Sequence, residues 1–245
     1  MDESRKERNA IAKQSLQFYA QAVFADKLKA QGFVSYNDDN LNWYRIVNGE
    51  VLQTIYIHSK LPSYSLIACL TYGVHPLFVK PLIPHKIIDL GWPGDREVEN
   101  LVRHTGKNKV FNREHFVQCP ATEESGAEYL DKVIFPVFAQ TSTIEDAYNF
   151  FKQRYLASDW ERIVTNDFID MAIWLNDEEM YPYCKLSIYR GFTIPNVAGW
   201  TKSDAKRNQL QYEAIIEGER DEYLKVLEKR KTQILRKLEK GQNKT

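Results

Sequence analysis

Apolar residues recur at spacings of three and four through Leu16, Tyr19, Ala20, Val23, Phe24 and Leu28, the mark of one buried helix face. The pattern predicts a long amphipathic helix over about Ser4 to Gln31, with Gly32 where a helix end favours a left-handed residue. The period then changes. Leu41–Val47 and Glu50–His58 are β-rich runs that flank Asn48-Gly49, a pair that tolerates the positive φ angles of a type I′ turn. A two-residue hairpin places Val47 opposite Glu50, Ile46 opposite Val51 and Tyr44 opposite Gln53. Phe33–Tyr36 precedes it as a short strand, turned by Asn37–Asn40, and Ser65–Val74 follows it, completing four antiparallel strands.

From His75 to Pro120 the chain is irregular, broken by five prolines and three glycines. Within it, Glu97–His104 suits a short helix and Val110–Gln118 a strand. Beyond Glu124 the period is helical. Tyr129, Val133, Ile134 and Phe138 share a face that Pro136 should kink or end. Ser142-Thr143-Ile144-Glu145 reads as a capping box for a helix to about Leu156, and Asn166–Leu175 reads as another helix. Asp177–Arg190 fits a helix through Met180, Cys184 and Ile188, or a strand through Cys184, Leu186 and Ile188; the helix is preferred. Gly191–Trp200 reads as a loop. Ser203–Lys240 is helical, either continuous or a hairpin in which Gly218 ends one arm and Asp221 caps the next.

These elements define an α+β fold: a long N-terminal helix packed on an antiparallel four-stranded meander, followed by a largely α-helical C-terminal half. The division falls between residues 1–120 and 121–245, the second packed on the first as one unit. The helix ending at Gly32-Phe33, the Trp43-Tyr44-Arg45 element, the Val51–His58 strand and Leu70-Thr71-Tyr72-Gly73-Val74 together resemble an uncharacterised bacterial domain-of-unknown-function family. The resemblance covers about residues 15 to 75 and extends toward the helices around 125–175. It implies the helix-and-meander fold and no known activity, so it transfers no functional residue and no cofactor.

Composition narrows the function classes. Thirty-three Lys+Arg balance 33 Asp+Glu in 245 residues, which disfavours a nucleic-acid binder. No apolar run reaches the roughly 18 residues needed to span a bilayer, so no membrane association is expected. The N-terminus lacks the apolar centre of a signal peptide, and the three cysteines form no disulfide framework, so a cytoplasmic location is expected. Charge is uneven. Residues 121–180 hold 4 Lys/Arg against 13 Asp/Glu, and residues 201–245 hold 12 against 8, so the two ends of the helical half could attract one another or, equally, each could serve a partner of opposite sign.

No phosphate-cradling loop, dinucleotide fingerprint, zinc-protease helix or nucleophile elbow is present. Among five histidines, His58 and His75 border strands, while His85, His104 and His115 lie in the irregular segment among acids such as Asp95. His104, His115 and Asp95 are the candidate catalytic residues, since imidazole and carboxylate together can assist hydrolysis at a metal. Their spacing matches no metal motif, and isolated histidines are the commoner arrangement. Cys69 reads as a small core hydrophobe, and Cys119 has no adjacent base. Trp43, Tyr44 and Tyr56 are candidate binding residues as an aromatic platform, though cross-strand packing is the commoner use. The basic residues from Arg220 to Lys240 alternate with acids and read as a solvated, ion-paired face. The expectation is a non-catalytic protein-binding or interaction protein, with a protein partner or a homodimer and no cofactor; the alternative is a metal-assisted hydrolase.

Overall fold

The computed structural model describes residues 14, 16–36, 41–60, 67–78, 99–100, 127–128, 130–157, 166–193 and 202–242. Helical residues 16–23 (α1) and Ala25–Ala30 (α2) are separated by a turn at Phe24. The N-terminal part of the expected long helix lies outside the described residues. α2 ends as Gly32 predicts. Gly32 takes φ +77°, and the Gly32 and Phe33 N–H groups donate back to the Lys29 and Leu28 carbonyls at 2.9 Å each. This is a Schellman closure, with buried Phe33 against buried Leu28.

Four strands follow in antiparallel order: β1 (Val34–Ser35), β2 (Asn42–Val47), β3 (Val51–Lys60) and β4 (Ile67–Pro76). A two-residue strand, β5 (Glu99–Asn100), pairs with Cys69 and Leu70; those two residues were expected in a short helix. The Val110–Gln118 strand lies outside the described residues.

The hairpin turn is as expected but the register is not. Asn48 and Gly49 have φ +52° and +66°, and the Glu50 N–H closes the turn on the Val47 carbonyl at 3.0 Å. The ladder then pairs Val47 with Val51, Ile46 with Leu52 and Tyr44 with Thr54, one residue away from the simple hairpin. Glu50 is the extra residue, a bulge. Its carbonyl accepts from the Leu77 N–H (2.8 Å), and its carboxylate accepts from the Ile144 N–H (3.1 Å). Long-range partners thus draw Glu50 out of the ladder. The slip moves each β3 residue to the other face relative to β2. Trp43, Ile55 and Val51 now share the inner face with Arg45 and Gln53, while Tyr44, Leu52 and Ile46 occupy the outer face.

The inner face joins the main core with Leu16, Phe24, Leu28, Ile134 and Phe138, which continues into the helices beyond 144. Buried Gln53 ties sheet to helix. It accepts from Arg45 Nε (2.8 Å) and donates to the Phe138 and Thr141 carbonyls (2.7 and 3.2 Å). Arg45 stacks over the Phe33 ring at 4.7 Å.

In the helical half, a π turn (Leu130–Ile134) leads into α3 (Phe135–Ala139), with Pro136 in its first turn where no N–H is needed. α4 (Ile144–Ala157) is capped one residue later than the predicted box. The Thr143 hydroxyl, not that of Ser142, accepts from the backbone of Asp146 (3.0 Å), while the Ser142 carbonyl receives the Asn48 amide (3.2 Å). α5 (Asn166–Leu175) matches its expected bounds.

Residues 178–180 form a 3-10 turn that feeds α6 (Tyr181–Thr193), so this stretch is helical. Met180, Cys184 and Ile188 are buried, whereas Leu186, which a strand would have turned inward with Cys184 and Ile188, is exposed. α6 runs through Gly191, expected in a loop. α7 (Lys202–Tyr212) passes into a π turn (Glu213–Glu217), and α8 (Arg220–Gln242) follows. Gly218, at φ +82°, breaks the helix into two arms. The end of α8 lays Ile234 and Leu238 over the outer sheet face, against Tyr44, Leu52 and Leu77.

The Glu50 carboxylate replaces a missing helix partner at the N-terminus of α4. Glu50→Ala should lower stability by about 1 kcal/mol in urea unfolding and speed amide exchange at Ile144. Unchanged exchange would show that the cap is not formed.

Candidate functional site

Asp170 is fully buried in an otherwise apolar stretch of α5, between Ile169 and Met171. Four side chains converge on it. Arg207 Nε and Nη2 reach Oδ2 at 3.0 and 2.5 Å. Gln211 Nε2 and Tyr223 Oη reach Oδ1 at 2.6 and 2.5 Å, and Arg230 Nη1 lies 3.6 Å from Oδ2. Arg207 also bonds Asp167 at 2.6 Å. Burial opposes the Arg207 charge, but Asp170 and Asp167 outweigh it and hold the guanidinium well above its ordinary pKa. Burial, then the Asp170 charge, raises the Tyr223 phenol. Burial raises the Asp167 carboxyl against the pull of Arg207.

The other end of α5 is held as well. Arg220 donates to the Ile173 and Trp174 carbonyls at 2.8 and 2.9 Å, a cation at the negative end of the helix dipole. The acidic and basic segments therefore do meet, and part of the basic face turns inward rather than to solvent. Because the carboxylate is itself fully buried and both of its oxygens already accept bonds from side chains, Asp170 is a structural centre rather than a base with a lone pair for substrate.

A second centre joins α4 to the end of α5. Asp177 accepts from Tyr148 Oη (2.8 Å) and from Lys152. Burial opposes its charge, but these bonds overcome it and hold the carboxyl below the usual range. Cys184 is a buried free thiol, pushed up to about 12 by burial and then by Asp177, which removes it as a nucleophile.

The third polar feature lies on the outer sheet face. His75 (3% exposed) and Thr54 (1%) have side-chain polar atoms with no hydrogen-bond partner among the described residues. Burial pushes the His75 imidazole down to about 4.

The residues singled out from the sequence fall elsewhere. Trp43 (1% exposed) is in the main core, and Tyr44 is buried on the opposite face in the smaller cluster. Consecutive strand residues alternate faces, so the two cannot form one platform. Tyr56 is half-buried on Tyr44's side of the sheet, paired across from Asn42. His58 pairs across from Cys69. His85, Asp95, His104, His115 and Cys119 lie outside the described residues. Among the described residues no group of three His, Cys, Asp or Glu side chains is arranged to hold a metal.

Sequence reasoning passed over Asp170, Arg207, Gln211 and Tyr223. The available signal was the lone carboxylate within Phe168-Ile169-Asp170-Met171-Ala172-Ile173. No family model matches the chain, and no curated protein or solved structure matches it either. The family resemblance drawn around residues 15 to 75 therefore gains no support.

Removing one partner of a buried pair leaves the other charge uncompensated. Asp170→Asn should cost about 3–5 kcal/mol in urea unfolding, and Asp170→Leu combined with Arg207→Met should cost less than Arg207→Met alone. Equal or greater damage in the double variant would show that the pair is not coupled. A second outcome concerns pH. A buried imidazole that resists protonation lets the unfolded chain bind the proton first. The His75 contribution is therefore complete above pH 6.5 and declines as the pH falls toward 4. The decline is at most about 1.4 kcal/mol per pH unit. His75→Leu should flatten this part of the stability profile, and an unchanged slope would contradict it.

Proposed function

We propose that the chain is a non-catalytic interaction protein that docks another protein through the outward stripe of α6. The observation that carries this reading is the exposure of Leu186 (47%) and Tyr189 (49%), three residues apart on a helix whose opposite face is core. Half-buried Tyr183 precedes them at the same spacing, and the Tyr189 ring meets Tyr212 edge-on at 6.2 Å, which extends the stripe to α7. Tyrosine combines a broad apolar ring with a polar tip, the composition that protein interfaces favour. A large apolar side chain beside such rings offers the partner an anchor.

The setting we propose is the cytosol. Cysteines without a disulfide framework support it, and no helix among the described residues is long and apolar enough to cross a membrane.

A photo-crosslinking amino acid placed at position 189 should give a discrete protein adduct in cells. Leu186→Asp should abolish that adduct while changing stability by less than about 0.5 kcal/mol, because the side chain is exposed. A label at exposed Glu228 on α8 serves as the control. No adduct from position 189, or the same adduct from position 228, would overturn the proposal.

A further inference from the structure

The outer sheet face carries two buried polar side chains where an apolar pair would pack more simply. Thr54 stands across from Gly73 in β4 and from Tyr44 in β2, and His75 stands across from Leu52. Residues 52 and 54 share a face of β3, so Thr54 and His75 are diagonal neighbours across the β3–β4 ladder. Leu52 belongs to the cluster sealed by Leu77, Ile234 and Leu238, so the face lies beneath the end of α8. Gly73 supplies no side chain beside Thr54.

The chemistry of the pair is neutral. Burial is the cause of the His75 shift, and no charged group contributes to it. A neutral imidazole offers one donor and one acceptor, and a threonine hydroxyl offers one donor and two acceptors. Among the described residues, Thr54 Oγ1, His75 Nδ1 and His75 Nε2 use none of these. An anion would need a cation beside it, and a divalent cation would need more ligands than one imidazole and one hydroxyl. What the pair matches is a small neutral guest that both donates and accepts.

We propose that Thr54 and His75 form an internal water site, in which a water bridges the Thr54 hydroxyl and a ring nitrogen of His75 beneath the end of α8. Buried polar groups out of reach of protein partners are satisfied this way in folded proteins, and such waters bind through two to four polar contacts. The His75 side chain is then a hydrogen-bonding residue of the fold rather than an acid–base group, and the outer face is wet at one point inside an apolar seal.

The test is solution NMR of the full chain, with Thr54→Val as the isosteric variant. The wild type should show cross-peaks from a long-lived water to the Thr54 methyl and the His75 ring protons. In Thr54→Val the cross-peak to His75 should vanish, and Tm should fall by roughly 2–4 °C. Absence of a long-lived water in the wild type would overturn the proposal. So would a rise in Tm for Thr54→Val, which is the response of a dry site relieved of an unpaired hydroxyl.

Discussion

A single carboxylate sealed from water organises the helical half of this protein. Asp170 cannot be buried alone, because a desolvated charge is tolerated only when paired and hydrogen-bonded. Its partners come from two arms: Arg207 and Gln211 from α7, and Tyr223 and Arg230 from α8. The break at Gly218 lets both arms reach the same oxygen atoms. Once Tyr223 and Arg230 are held, α8 continues to where Ile234 and Leu238 cover the outer sheet face. The seal on that face thus depends on an acid in a different part of the fold.

The β-hairpin plays the corresponding part on the other side. Glu50 leaves its ladder to serve Leu77 and Ile144, Asn48 reaches Ser142, and Gln53 binds the carbonyls of Phe138 and Thr141. Apart from the Leu77 bond, which stays with the chain after β4, these bonds join the hairpin to the stretch from Phe138 in α3 to Ile144 at the start of α4. Polar side chains fix the relative placement of layers that apolar packing alone would leave freer to slide, because hydrogen bonds are directional and the hydrophobic effect is not.

The legible parts of the chain were those decided locally. Gly32 ends α2, Asn48-Gly49 turns the hairpin, and Asn166–Leu175 shows its helix through period and length alone. The register of β2 against β3 was not legible, because the competing partners of Glu50 lie 27 and 94 residues away. Asp170 was hidden for the same reason, its bonding partners lying 37 to 53 residues downstream. Aromatic residues misled in the opposite direction. Trp43 and Tyr44 suggested a shared surface, but strand alternation sends them into two different cores. At the exposed stripe of α6, Leu186 appeared in the sequence only as a term in a strand alternation. Its outward position followed once the residues around it were helical.

Ion pairing between distant segments also sets an order of events during synthesis. A chain emerging from the ribosome presents Asp170 before any of the cations and hydroxyls that neutralise it, since the nearest of these in sequence, Arg207, is 37 residues later. Until that stretch is available, α5 carries an unsatisfied acid in its apolar face and cannot dock stably. The nascent sheet, meanwhile, lacks the cover that α8 provides. The molecule therefore completes its first-made layers last, and the interval before α8 appears is the time when they are most exposed to chaperones and to aggregation.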